Sequence, residues 1–156
     1  MEVITIGTDK TGILKQVCEP VKSFEEIDAT IHQMEQLLIG AYNGTGKGLA
    51  APQVGCNKRF FIIRFGNRID VFINPQIVKY GEKRKKGIEG CLSVPGEWFE
   101  VERCKRVEIV YQDHNMELQR VKFFNFDAVA IQHEYDHLNG ICISDKGKGR
   151  KVKRAR

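Results

Sequence analysis

Two histidines four residues apart, with a glutamate directly after the first, put the narrowest limits on the fold of this chain. They lie in HEYDHLNG, residues 133 to 140. On a helix, His133 and His137 fall one turn apart on the same face. Glu134 is turned about 100° from His133 by the helix period, so its carboxylate can reach a water on an ion held by the two imidazoles without binding the ion. This H-E-x-x-H arrangement supplies two metal ligands and a general base. Two ligands do not hold a catalytic ion, so the fold must bring a third donor to this helix.

Spacing leaves several candidates for that donor. One protease class uses a histidine six residues after the second, where this chain has Ile143. Another uses a glutamate farther downstream, and none of the 19 residues after His137 is Glu. Downstream, Cys142 and Asp145 remain. Upstream, EGCLSVPGEW (89–98) offers Cys91 beside a glycine, which lets the backbone approach closely. A thiolate suits zinc or ferrous iron, and two His with one Cys leave a fourth position open, as a catalytic site needs.

The rest of the chain reads mostly as strands. Residues 59–65 (RFFIIRF), 69–73 and 76–80 read as strands separated by short turns. Residues 82–87 (EKRKKG) are too polar for a core and read as an exposed turn or edge strand. Residues 107–112 and 116–123 pair as a hairpin across DHN. A first helix begins at Ser23, which forms an S-x-x-E capping pattern with Glu26. It carries Ile27, Ile31, Met34, Leu38 and Ala41 on one face and stops at Asn43-Gly44. Residues 2–20 read as an extended, irregular arm, and the last helix spans about 125–139. Strands followed by a helix, without βα alternation, predict an α+β fold. Mostly antiparallel sheets pack around a central C-terminal helix carrying HExxH, with one N-terminal helix. One domain is expected over 1–145, followed by a short, basic, flexible tail over 146–156.

Composition narrows the function classes. The 156 residues suit a single core. No run of eighteen apolar residues exists, so a membrane span is not expected. The N-terminus lacks the basic and apolar regions of a secretory signal. Five cysteines, with no CxxC pair, argue against a disulfide framework or a zinc ribbon. A cytoplasmic setting follows, with an organelle as the alternative if a presequence has been removed. The net charge of +5 is local: seven of the 25 Lys and Arg lie in 146–156, leaving 18 basic against 20 acidic groups elsewhere. The tail is either a solvated end or a weak electrostatic contact to the ribosome or RNA.

Three stretches, GKGLAAPQVG (46–55), EGCLSVPG (89–96) and QHEYDHLNG (132–140), resemble in order and spacing the three signature motifs of the peptide deformylase family. The resemblance implies an amidase that removes the formyl group from N-formyl-methionyl N-termini of nascent proteins, giving formate and a free amine. It implies that Cys91, His133 and His137 hold one Fe2+, with Zn2+ or another divalent metal as alternative occupant. Water on that metal attacks the formyl carbon, with Glu134 as general base and acid. The family's oxyanion hole falls on Gln53 and the Leu92 N–H, and its buried ion pair on Glu89 and Arg103.

Gly46, Lys47, Gly48 and Gly90 are expected to contact a peptide bound like an added strand. Phe126, Val129 and Ala130 precede His133 on its helix face, either lining a pocket for the methionine side chain or serving as plain core. Lys47 departs from the family's usual pattern, which has an apolar residue there. A lysine either snorkels out of the pocket edge or changes the side-chain preference. The alternatives are an HExxH metallopeptidase, an amidase with another N-acyl substrate, a structural metal closed by Cys142, and an RNA-binding protein acting through the tail. The chain is expected to act as a monomer.

Overall fold

RFFIIRF has no polar alternation between Phe60 and Ile63, the pattern of a strand covered on both faces. In the computed structural model it lies between two cores. Phe61 and Ile63 belong to one, Phe60 and Ile62 to the other. The structure describes residues 1–147 and the backbone of 151–152; of Tyr42 and Asn43 it describes the backbone alone.

In chain order the strands are β1 (Gly48–Ala50), β2 (Phe60–Phe65), β3 (Arg68–Tyr80), β4 (Arg84–Cys91), β5 (Val94–Cys104), β6 (Arg106–Gln112), β7 (Leu118–Phe124) and β8 (Lys151–Val152). The helices are α1 (Asp28–Gly40), α2 (Asn125–Leu138) and α3 (Ile143–Lys146). One sheet has the order β1-β2-β3-β6-β7 and the second the order β4-β5-β8. All the strand pairs within them are antiparallel. Helix α1 packs Ile31, Met34 and Leu38 on one face of the larger sheet. Helix α2 packs Ala128, Ala130, Ile131 and Leu138 on the other and also touches β5 of the smaller sheet. The α+β architecture with a central HExxH helix is therefore present.

Helix α2 is buried on its polar positions as well as its apolar ones: Gln132, Glu134, Asp136 and His137 are all inside. Such groups need partners. Gln132 takes its own from the end of β5, donating to the Cys104 carbonyl at 2.8 Å and accepting the Cys104 N–H at 3.1 Å. That clasp fixes the rotation of α2 against the small sheet.

Three sequence expectations are corrected. Residues 69–73 and 76–80 are one strand, β3, interrupted by a register shift between Ile73 and Gln76 rather than by a turn. Pro75 lacks an N–H, and a bulge tolerates that without breaking the strand. Residues 99–104, unassigned from sequence, belong to the strand β5 (Val94–Cys104), whose inward alternation of Phe99, Val101 and Arg103 includes a charge. The tail does not begin at 146: α3 crosses that point, and Lys151–Val152 pair with Phe99 and Trp98, supplying partners to the outer edge of β5. The other tail residues, 148–150 and 153–156, lie outside the described residues.

At the bulge, Asn74 takes a positive φ of 48°. Its side chain accepts the Val21 N–H at 2.8 Å and donates to the Val21 carbonyl and to Gln112 Oε1. It thereby pins the N-terminal arm to the sheet. Asn74→Ala removes all three bonds and strains the backbone, and is expected to destabilise the fold by about 2 kcal/mol. The measurement is the urea midpoint, with the slope unchanged.

Candidate metal centre and active site

Helix α2 touches the β4–β5 hairpin, and the site forms where they meet. Residues two apart on a strand share a face. Glu89 and Cys91 both point inward and are buried. A register shift between Glu89↔Phe99 and Cys91↔Val94 turns the end of β4 toward α2. This brings the Cys91 thiol to 3.3 Å from His137 Nε2. The donor atoms of Cys91, His133 and His137 all lie within 4.8 Å of one another. Of the donors left open by spacing, Cys91 is the one delivered to the histidines. Cys142 approaches the far nitrogen, Nδ1 of His137, at 4.0 Å, and burial pushes its thiol up to about 11. Asp145 is turned away to Lys15 and to the Cys142 N–H.

The histidines are oriented from behind. A carboxylate only accepts, so His133 Nδ1 donates to Glu89 Oε1 at 2.9 Å, leaving Nε2 for an ion. Glu89 in turn accepts two hydrogen bonds from Arg103, each 2.9 Å. Arg103 is 3% exposed and also binds Asp136. Burial alone would raise the Glu89 carboxyl, but hydrogen bonds from His133 and Arg103 outweigh it and hold the group at about 2. Burial drives His137 well below its ordinary value, so it is a neutral imidazole ready to ligate. Burial also opposes charge on His133, yet Glu134, Cys91 and Glu89 overcome that and raise it. One thiol and two imidazoles make a soft–borderline donor set that fits ferrous iron or zinc.

Glu134 is 4% exposed, and its Oε1 has no hydrogen-bond partner among the described residues. Burial pushes its carboxyl up to about 7. Gly48 leaves it room: a Cβ there would meet Glu134 Cγ and Oε2 at 2.9 Å. Gln53 is buried in a short 3-10 turn, its Oε1 accepting the Ala50 N–H at 2.9 Å. Its Nε2 lies 3.1 Å from Ser93 Oγ and 3.5 Å from Cys91 Sγ.

A cavity of about 320 Å³ opens beside these groups. Lys47, Gly48 and Gln53 line one side, Glu89 to Leu92 another, and Phe126, Val129, Ala130, His133 and Glu134 a third. Phe126 is largely exposed, so it is wall rather than core. Gly46 stands back from the cavity, packed on Leu38 and Ala41. Trp98 was not found by sequence reasoning. It lies across the hairpin from Gly90, where a Cβ would strike its ring at 2.7 Å. Being the single tryptophan, seven residues after the Gly90-Cys91 pair, was the available signal. Ser93, which donates to the Ile4 carbonyl at 2.6 Å while holding Gln53, had no signal at all.

Glu89→Ala leaves Arg103 buried without its main partner, and is expected to cost about 3–5 kcal/mol and to lower metal retention, read by denaturation and elemental analysis. Glu89 is held below its ordinary value of 4.5, so its contribution to stability is present above that pH and is lost as pH falls toward about 2. Glu89→Gln is expected to flatten the stability profile across that window.

The family model described as polypeptide deformylase matches residues 1–153. A peptide deformylase of Thermotoga neapolitana is 39% identical over 136 residues, 87% of this chain and 82% of that protein. One of Fusobacterium nucleatum is 40% identical over 136 residues, covering 86% and 78%. Among solved structures, a Synechococcus elongatus peptide deformylase in complex with actinonin superposes with a TM-score of 0.86 at 38% identity, covering 96% of this chain and 80% of that one. The Thermotoga maritima peptide deformylase gives 0.84 at 36% identity, covering 93% and 95%. A match along nearly the whole chain, with identity of this order to several relatives, makes this chain a member of the polypeptide deformylase family.

Proposed function

We propose that this chain removes the formyl group from N-formyl-methionyl peptides, releasing formate and a free N-terminal amine. The observation that carries the reading is Glu134, a buried carboxylate with an unpartnered Oε1 beside a three-donor cluster, facing a largely apolar cavity. Cys91, His133 and His137 would hold a divalent ion, which would supply Lewis-acid chemistry at this point. Ferrous iron is the proposed occupant and zinc the alternative.

The remaining work falls to side chains of this chain. Glu134 takes a proton from the attacking water at Oε1 and returns it to the departing amine. Gln53 Nε2, held in place through its Oε1, donates to the oxygen on which charge develops. The Leu92 N–H, one residue past Cys91 in the hairpin turn, is the second donor. Val129, Ala130 and Leu92 receive the methionine side chain, with Phe126, Ile88 and Trp98 closing over it. The cavity is lined from β1 and β4, both at sheet edges, which supports an extended peptide lying between them as an added strand.

All the groups invoked come from one chain, which supports a monomer. Five free cysteines suit a reducing cytoplasm. No helix among the described residues is long and apolar enough to cross a membrane. The seven cations of 146–156 offer a ribosomal RNA contact that weakens steeply with salt, measured by co-sedimentation across a salt series.

The test is formate release from formyl-Met-Ala-Ser by protein prepared without oxygen and loaded with ferrous iron. Glu134→Ala is expected to cut kcat by about 10³-fold with the metal retained, and Gln53→Ala by about 10²-fold. Gly48→Ala is expected to keep the fold and lower kcat by displacing Glu134. No release from protein holding one metal per chain would overturn the reading.

A further inference from the structure

Lys47 lines the cavity yet has no part in the chemistry above. Its ammonium has been drawn to one spot by four neighbours. It donates to the Arg64 carbonyl and to Asp127 Oδ1, each at 2.7 Å. It also sits 4.6 Å over the Phe65 ring and 5.7 Å from the Phe126 ring, both within cation–π range. Phe126 and Asp127 are in the first turn of α2, and Arg64 is on β2. The contact therefore joins the β1–β2 wall to the α2 wall. Asp127 is not part of the cavity lining, so the charge is tethered to a group outside while the methylene stem stays at the wall.

Resting on the reading of this cavity as the pocket for the first side chain, we propose that Asp127 is a positioning residue for substrate selection. By holding the Lys47 ammonium at the rim, it lets a lysine stand in for an apolar wall residue and keeps the pocket selective for apolar side chains. Without Asp127 the ammonium keeps only the Arg64 carbonyl and the two rings. The flexible stem then lets it meet an acidic side chain entering the pocket, as a charge-assisted hydrogen bond. The pair is part-exposed, at 24% and 44% of the two side chains, and such pairs add little to stability. Its effect should therefore show in selectivity rather than in folding.

Trp98 is the single tryptophan and lines the same cavity, so its fluorescence reports binding without turnover. Metal-loaded Glu134→Ala protein is titrated with formyl-Met-Ala-Ser and with formyl-Glu-Ala-Ser, and the ratio of the two Kd values is taken. Asp127→Asn is expected to narrow the preference for methionine about tenfold, the size of one charge-assisted bond. Asp127→Glu is expected to restore it. In a Lys47→Met background, Asp127→Asn is expected to leave the ratio unchanged. A ratio indifferent to Asp127→Asn, or narrowed equally in the Lys47→Met background, would overturn the proposal, as would no fluorescence response to either peptide. Formate release by the protein with Glu134 intact is scored separately. Its absence alongside the expected Kd ratios would sink the deformylase reading and leave the selectivity proposal standing.

Discussion

A chain of charges, Arg103 to Glu89 to His133, holds three elements in register. Arg103 stands on β5, Glu89 on β4 and His133 on α2. Removing two charges from water is costly, and a buried pair adds little net stability over an apolar replacement. What this one contributes is direction. The guanidinium presents a rigid fork, the carboxylate fills it, and the carboxylate's Oε1 also accepts the hydrogen bond of His133 Nδ1–H. The imidazole therefore has one ring orientation and one tautomer, with Nε2 toward Cys91 and His137. Asp136, one residue before His137, binds the same guanidinium and fixes the helix at a second point.

The hairpin end is held as firmly as the helix. Gln53 connects a 3-10 turn to the hairpin by donating to Ser93 Oγ, and Ser93 passes the connection to the Ile4 carbonyl on the N-terminal arm. The Ile4 and Ile6 N–H groups close the circuit on the carbonyls of Gln53 and Ser93. The arm that looks irregular in sequence is thus a brace for the segment carrying Cys91. Such bracing matters because an ion site tolerates little misplacement of its donors. Gly48 and Gly90 do the complementary task. Each leaves space for a large neighbour, Glu134 in one case and Trp98 in the other, so that carboxylate and indole can crowd the cavity.

Local regularities were readable where one element's own period carried the signal. The apolar face of α1, the doubly covered β2 and the HExxH helix are all properties of residues within a few positions of one another, whereas the capping box at Ser23 and Glu26 opens a 3-10 turn, Phe24–Glu26, and α1 itself begins only at Asp28. Strand β3 was misread as two because Asn74-Pro75 carries the composition of a turn, whereas the chain accommodates it as a bulge stabilised by Val21 and Gln112 from other elements. The second half of β5 was not readable from periodicity because its inward face includes Arg103, a charge buried against Glu89 and Asp136.

The sequence by itself determined that two imidazoles and a carboxylate would share one helix, since α-helical geometry places residues one and four apart without help from the rest of the fold. It also determined, through three motifs in order, which family the chain resembles. Residue spacing left Cys91, Cys142 and Asp145 open, the resemblance pointed to Cys91, and only the tertiary structure brings the Cys91 thiol beside the two histidines. That approach depends on a strand bulge and a helix meeting in space, and no spacing along the chain encodes the meeting. The same holds for Lys47, whose charge has no partner near it in the sequence. Its partner Asp127 lies eighty residues away, and only folding brings the two within a hydrogen bond.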